Sequence, residues 1–381
     1  MKVALAHHWL TNYRGGERVL QQIGELHPQC DVYTLVHDPA AAIPGIEGRR
    51  IHTTFLQSIP RAHKLYRHLL PLHPWAISKL KVADNIDVLL STDAAMIKGV
   101  AAPNVSKHIC YCHSPPRYLW EMSGEYKKTS FAARMALDRF APRLRDWDYQ
   151  AAQSVTDFIA NSKFVADRIE RYYDRSSTVI YPPVAVHEFR HDCPRESYFL
   201  VVSELVSYKR IDIAVDAFNR LGIPLVIIGD GPERSRLEAI AKPNIQFMGR
   251  QPFSELKAKL QVARGFVFPG IEDFGITPVE AQAAGCPVIA YRAGGVLETV
   301  LDHKTGVFFD DQNGESLAAA VQAFDGDAIS ADDCAANASQ FSEARFRSEY
   351  QAFVNQAVGV QSPQNGKMEE LVLSQNDRTE R

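Results

Sequence analysis

The sequence predicts two consecutive α/β domains, each a doubly wound parallel sheet flanked by helices. Two observations carry this reading. Short apolar runs alternate with longer helix-period segments, the pattern of parallel βαβ units. The pattern then restarts near the middle of the chain, so two complete sheets follow one another. A length of 381 residues accommodates both.

In the first half, strands are expected at "KVALAH", "DVYTLV", "DVLLST", "HICYCH", "DFIANS" and "TVIYPP", with helices at "GGERVLQQIGEL" and "SKFVADRIERYY". The second half runs "YFLVVS", the helix "IDIAVDAFNRLG", then "PLVIIGD", "IQFMGR", "GFVFPG" and "PVIAY". The joint falls in "YPPVAVHEFRHDCPRE", residues 181–196, where Pro182 and Pro183 can continue neither a helix nor a central strand. Residues 1–185 are therefore assigned to a first domain, 186–360 to a second, and the polar, aperiodic 361–381 to a mobile tail. Ligands of open α/β sheets bind beyond the carboxyl ends of the strands, so two such sheets face each other across a cleft with binding loops on both sides.

Composition narrows the class. A hydrophobic share of 46% against 23% charged is ordinary for a globular protein with a sizeable core. The formal net charge of -3 exerts no global pull on nucleic acid, and no nucleic-acid partner is expected. The six cysteines match neither a zinc ribbon nor a disulfide framework, which points to reduced thiols in a cytosolic setting. No apolar run reaches the roughly 20 residues that span a bilayer. The opening "MKVALAHHWL" reads as a first buried strand rather than a signal peptide, because His7 and His8 interrupt it.

Four loops carry candidate chemistry. Gly15 and Gly16 in "NYRGGERVL" let an anion approach the amides and dipole at a helix start, although a plain tight turn explains a glycine pair equally well. Lys209 and Arg210 precede the helix "IDIAVDAFNRLG", where cations oppose the dipole and a bound diphosphate would give them a purpose, a solvated pair of charges being the bland alternative. In "GIEDFGITPVEAQAAGCPV", Glu272 lies in the loop and Glu280 inside the helix that follows. Glu280 suits a ribose diol, Glu272 suits sugar hydroxyls, and the free amides of Gly275, Ile276 and Thr277 suit a phosphate. The bland alternative makes Glu272 a capping acid and Glu280 a surface residue. His113 in "YCHSPPRYLWE" follows a buried strand and is either structural or catalytic. "DWD" at 146–148 offers an acidic pair, but in a helix-like polar stretch, and it is rejected as a metal site.

Together these segments resemble glycosyltransferase family 4, retaining nucleotide-sugar transferases of the GT-B fold, over roughly residues 1–355. The most specific element is "EDFGITPVE" followed by "AQAAGCPVIAYRAGGVLETV"; "GDGPERSRLE" and "ANSKFVADRIERYY" support it. Within the family, "HHWL", "GGERVL", "YCHSPPRYLWE" and "YKRIDIAVDAFN" are most similar to bacterial mannosyltransferases of surface-polysaccharide assembly. The resemblance implies an acceptor-binding first domain and a second domain that binds the nucleotide sugar, GDP-mannose. It implies that Glu280 holds the ribose and Glu272, near Phe274, the donor sugar. It implies diphosphate contacts from Lys209, from Arg210, from the helix start at Gly275, Ile276 and Thr277, and from Gly15 and Gly16. His113 matches the active-site histidine, giving His113, Lys209 and Glu272 as the catalytic set. Front-face attack is implied, with the leaving diphosphate taking the acceptor proton and no divalent metal or other cofactor required.

One departure stands out. The family often carries an arginine where this chain has Glu204, and a carboxylate beside a diphosphate repels it unless it turns away or meets a cation. Arg210 is one source of that cation. The alternatives are a UDP-sugar donor, or a binding protein that keeps the fold with a damaged site.

Residues 49–82 contain no acid but carry Arg49, Arg50, Arg61, Lys64, Arg67, Lys79 and Lys81, interleaved with Leu65, Tyr66, Leu69, Leu70, Trp75 and Ile77. Such a segment suits an anionic membrane surface, where each basic residue contributes about 1 kcal/mol. A helical pair packed on the first domain is the competing reading. The resemblance implies a polyprenyl-diphosphate-linked glycan as acceptor, presented at the inner face of the cell membrane.

Overall fold

The computed structural model describes residues 1–121 and 131–359, without the side chains of 131–138. The tail expected over 361–381 lies outside the described residues. Two parallel sheets account for the regular strands. The first contains β1 (Val3–His7), β2 (Val32–Thr34), β3 (Ile51–Thr53), β4 (Val88–Asp93), β5 (Lys107–Cys112), β6 (Asp157–Ala160) and β7 (Thr178–Val179), in the order β3-β2-β1-β4-β5-β6-β7. The second contains β8 (Phe199–Val202), β9 (Leu225–Ile228), β10 (Ile245–Gly249), β11 (Gly265–Phe268), β12 (Val288–Tyr291) and β13 (Gly306–Phe309), in the order β10-β9-β8-β11-β12-β13.

The strand order reverses between β1 and β4 in one sheet and between β8 and β11 in the other. At such switch points the connections diverge to opposite faces and open a crevice at the strand ends. The loops after β1, β8 and β11 are those that hold Gly15, Lys209 and Glu272. His113 follows β5, one strand further across. Topology thus brings four separated motifs to one cleft.

Period-two alternation explains the layering. Ala4 and Ala6 of β1 join one buried cluster with Tyr33, Leu89 and Leu144, while Leu5 faces the other way among Val19, Leu90 and Ile109. The last described helix, Glu343–Ala357, crosses back to this second cluster. Its Phe346, Tyr350 and Val354, one turn apart, pack beside Val19 and Ile23 of the helix Gly15–Leu26. An apolar stripe at that spacing needs a complementary face, and the first sheet supplies it. The segment 343–357 therefore packs on the first domain although it follows the second in sequence.

Two strands were not expected from the sequence, β3 and β13. Both are sheet-edge strands of three or four residues, too short to show a clear period. The segment 49–82 is accordingly not a simple helical pair: β3 opens it, and short helical turns at Phe55–Ser58, Ala62–Leu65, Tyr66–Leu72 and His73–Lys79 follow.

The "DWD" acids diverge. Asp146 is exposed, whereas Asp148 is fully buried on the helix Phe131–Gln153. Lys98 Nζ lies 2.5 Å from Asp148 and 3.3 Å from Asp93, and Asp148 also accepts from Trp120 Nε1 at 2.9 Å and Tyr173 OH at 2.8 Å. Burial opposes the Lys98 charge, but Asp148 and Asp93 outweigh it and hold its pKa above the ordinary lysine value. Lys98→Met is expected to leave two buried carboxylates uncompensated and to cost about 3–5 kcal/mol in urea denaturation. A loss below about 1 kcal/mol would show that water reaches these acids.

Candidate functional site

The first wall of the cleft is the start of the helix Gly15–Leu26. Glu17 accepts from the Arg14 backbone N–H at 2.9 Å and closes the first turn. Gly15 lies close to the opposite domain: a Cβ there would be 2.9 Å from Ile276 Cδ1, the tip of a side chain that can turn aside. At Gly16 a Cβ would face His113 Nε2 at 3.5 Å and His8 Cε1 at 3.6 Å, so the bare backbone opens a notch onto the histidines.

The second wall is the helix Ile276–Ala283. It begins at Gly275, whose φ of 88° a residue with a side chain rarely adopts. The first-turn N–H groups of Ile276 and Thr277 lack intrahelical acceptors and face the switch-point crevice. Glu280, one turn on, is buried and accepts from Arg18 Nη1 at 2.6 Å across the cleft. It is not a surface residue. Glu272 is in direct contact with Lys209 Nζ. The space left beside this pair, lined by Val202, Ser203, Phe268 and Gly270 among others, is about 10 Å³, about the size of one water.

Two of the expected groups turn elsewhere. Arg210 caps its helix with a left-handed backbone (φ 54°), and its guanidinium lies 3.2 Å from Asp212 and 3.3 Å from Gln312. The Phe274 ring turns into the core. It is buried against Tyr181 and Phe341, at centroid distances of 5.7 and 5.5 Å, because the turn uses it as a hydrophobic anchor. Only the backbone of this residue can face a ligand.

Sequence reasoning missed several groups that the cleft brings together. Arg14 Nη1 meets Glu204 at 2.9 Å, from the opposite domain. Arg117 reaches within 3.9 Å of Asp273 and within 5.4 Å of the Tyr208 ring centre. Arg168, buried, pairs with Asp273 and Glu121. The signal that singled out Lys209, a cation at a helix start, applies equally to Arg14 and Arg18.

Electrostatics divide the site in two. Burial, then Arg117 and Arg14, push Lys209 down to about 8, while Asp273 and Glu204 oppose them. The histidines are neutral: burial pushes His7, His8 and His113 each down to about 3. His113 Nε2 is buried without a hydrogen-bond partner among the described residues. A neutral imidazole with a free nitrogen at the Gly16 notch is equipped to exchange a hydrogen bond with a hydroxyl. His7, His8 and Glu17 place ligand atoms within 4.8 Å of one another, a spacing that can hold a metal ion. His7 and Glu17 are already engaged: His7 Nδ1 lies 2.5 Å from Thr92 Oγ1 and its Nε2 lies 3.5 Å from Glu17, which also holds Arg14 N.

Comparison with known proteins accords with this geometry. Residues 13–188 match the model for Glycosyltransferase Family 4, and residues 188–341 match that for Glycosyl transferases group 1. The chain belongs to glycosyltransferase family 4. Among curated relatives of this family 4 chain, an uncharacterized glycosyltransferase of Methanocaldococcus jannaschii is 29% identical over 42% of the chain and 46% of the relative. The GDP-mannose-dependent alpha-(1-6)-phosphatidylinositol monomannoside mannosyltransferase of Mycolicibacterium smegmatis is 34% identical over 32% of the chain and 36% of the relative. O-antigen chain mannosyltransferase C of Escherichia coli is 29% identical over 37% and 41%. These matches therefore span less than half the length of each relative. The sucrose-phosphate synthase of Thermosynechococcus elongatus superposes over 95% of this chain and all of its own, with TM-score 0.71 at 18% identity. Anabaena HepE in complex with UDP covers 93% of this chain and 100% of its own, with TM-score 0.68 at 15% identity. The shared architecture is the GT-B fold.

Because only the protonated amine attracts an anion, pyrophosphate affinity of the empty protein is expected to weaken as pH rises through about 8. Lys209→Arg should remove that inflection. Pyrophosphate affinity at pH 7 unchanged by Lys209→Ala would take Lys209 out of the anion site.

Proposed function

We propose that this chain is a retaining hexosyltransferase that moves an α-mannosyl group from GDP-mannose to a polyprenyl-diphosphate-linked glycan, in exopolysaccharide or O-antigen assembly. The observation that carries the reading is the placement of Glu272 and Glu280 on either side of one helix start, with Lys209 against the first and Arg18 against the second. One carboxylate then grips the donor sugar and the other the ribose, and the diphosphate lies between them against Lys209 and the helix amides. The mannosyltransferase relatives favour GDP-mannose over a UDP-sugar.

In this reading no carboxylate pair flanks one scissile bond, so the double displacement of two-carboxylate glycosidases has no counterpart. The acceptor hydroxyl approaches on the face of the departing diphosphate and passes its proton to a phosphate oxygen. Lys209 and the amides of Ile276 and Thr277 stabilise the charge that develops there, the work a divalent metal does in other transferases. His113, held neutral by burial, orients a sugar hydroxyl rather than carrying charge. Removal of one such charge-stabilising donor typically costs 10²–10³ in rate.

In this reading the acceptor is presented at a membrane surface. Among the described residues, four of the exposed large apolar side chains (Phe55, Leu65, Leu72 and Trp75) fall inside the acid-free segment 49–82. Phe55 and Trp75 pair at 4.4 Å, and Arg61, Lys64, Arg67, Lys79 and Lys81 are exposed beside them. Aromatic and basic groups together suit the headgroup region of an anionic bilayer. Among the described residues no helix is long and apolar enough to cross a membrane, so this contact is peripheral.

Calorimetry with GDP and UDP in the presence of a chelator tests the donor. GDP is expected to bind more tightly than UDP, and Glu280→Ala to weaken it at least tenfold; UDP preference would overturn the mannose assignment, and absence of binding by either would overturn the transferase. The membrane face is checked separately. Replacing Arg61, Lys64 and Arg67 by glutamate should abolish sedimentation with phosphatidylglycerol vesicles while the melting temperature holds. Unchanged sedimentation would remove this surface from the proposal.

A further inference from the structure

Three cations from two domains converge where the donor reading puts a diphosphate. Lys209 belongs to the second domain; Arg14 and Arg117 belong to the first. Arg117 and Lys209 each lie 5.4 Å from the centre of the same ring, that of Tyr208. Arg117 Nε is buried and lacks a hydrogen-bond partner among the described residues, and its single ion pair there, with Asp273, is loose at 3.9 Å. Each of these cations leans on a carboxylate: Lys209 on Glu272, Arg117 on Asp273, Arg14 on Glu204. Like charges gathered at one point are costly unless an anion joins them.

We propose that Arg14 and Arg117 are the first domain's half of the donor diphosphate site, and that Glu204 is the resting partner from which the diphosphate takes Arg14. This rests on the donor-site reading above and names two ligands it does not use. It also gives Glu204 a purpose. A carboxylate in that loop does not face the phosphate unpaired; it holds a cation supplied from across the cleft. The Arg14–Glu204 pair is half-exposed, with side chains 48% and 37% accessible, and such solvent-screened pairs hold their partners weakly. A diphosphate, with more charge and more acceptors, outcompetes it. Arg14 is the N-cap residue of the helix whose glycines face the same cleft, and its guanidinium reaches Glu204 across it. One diphosphate is then held by Lys209 from one side and two arginines from the other, in place of ion pairs that already bridge the domains. The depressed Lys209 pKa accords with this crowding, since Arg117 and Arg14 both contribute to it.

The test compares guanosine, GMP, GDP, inorganic pyrophosphate and farnesyl diphosphate by calorimetry on wild type, Arg14→Gln, Arg117→Gln, Glu204→Gln and the Arg14→Gln/Glu204→Gln double variant. Each arginine substitution is expected to weaken GDP about tenfold or more and to leave guanosine unchanged. Glu204→Gln should tighten GDP several-fold, and that gain should vanish when Arg14 is also replaced. Arg117→Lys, with an unaltered melting temperature, should recover part of the loss and so separate ligand contact from misfolding. An unchanged GDP-to-guanosine ratio in both arginine variants would sink the proposal, as would a Glu204→Gln effect independent of Arg14. Loss of farnesyl diphosphate binding with GDP binding intact would assign the arginines to the acceptor and overturn the donor assignment. The two readings fail differently. GDP binding that needs Glu280 but ignores both arginines keeps the transferase and ends this proposal. Pyrophosphate binding that needs both arginines, in a protein with no preference for GDP or UDP, keeps the anion site and ends the donor reading.

Discussion

Asp273 holds the two domains against each other, and the geometry of the cleft depends on it. Its carbonyl accepts from Ser162 Oγ at 2.6 Å, and its carboxylate pairs with buried Arg168. Both partners come from the first domain, on either side of the start of the helix Lys163–Tyr173. The same helix start is held from the second domain by Glu298, which accepts from the amides of Lys163 and Phe164 at 2.8 and 3.0 Å. A carboxylate capping two orphan helix amides in another domain is a directional joint, not a sliding contact. Gly295 N then donates to the Glu272 carbonyl at 2.9 Å, so the loop before the helix Ile276–Ala283 is fixed on both sides. The neighbouring acids of "EDFG" thus divide their work: Asp273 faces the joint and Glu272 faces the cleft.

The cleft itself is closed by charge. Glu204, Glu272 and Glu280 each meet a cation, two of the three from across the cleft. In a partly desolvated site these attractions are stronger than in water, and breaking one without a substitute partner is costly. A ligand that brings both an anion and hydroxyls replaces them pair by pair, which lets binding proceed without stranding a buried charge. The reverse argument explains the histidines. His7, His8 and His113 sit where burial excludes a proton, so they add shape and hydrogen bonds to the wall but no charge to compete for the carboxylates.

Much of this was legible in the residues alone. Period and punctuation determined two parallel α/β sheets, the helix Gly15–Leu26 to the residue, and the loops that hold Gly15, Lys209, Glu272 and His113. Those features are local: they follow from backbone preference and from side-chain alternation within a few residues. The edge strands β3 and β13 escaped because three or four residues show no period, and a motif position such as Phe274 does not say which way its ring points. Only the tertiary structure decided that the helix Glu343–Ala357 packs on the first domain, that Arg210 turns to Asp212, and that Glu204 meets Arg14. The physical reason is common to all three. Arg14 and Glu204 are 190 positions apart, and their attraction exists only once two independent sheets have been folded and placed with their switch points face to face.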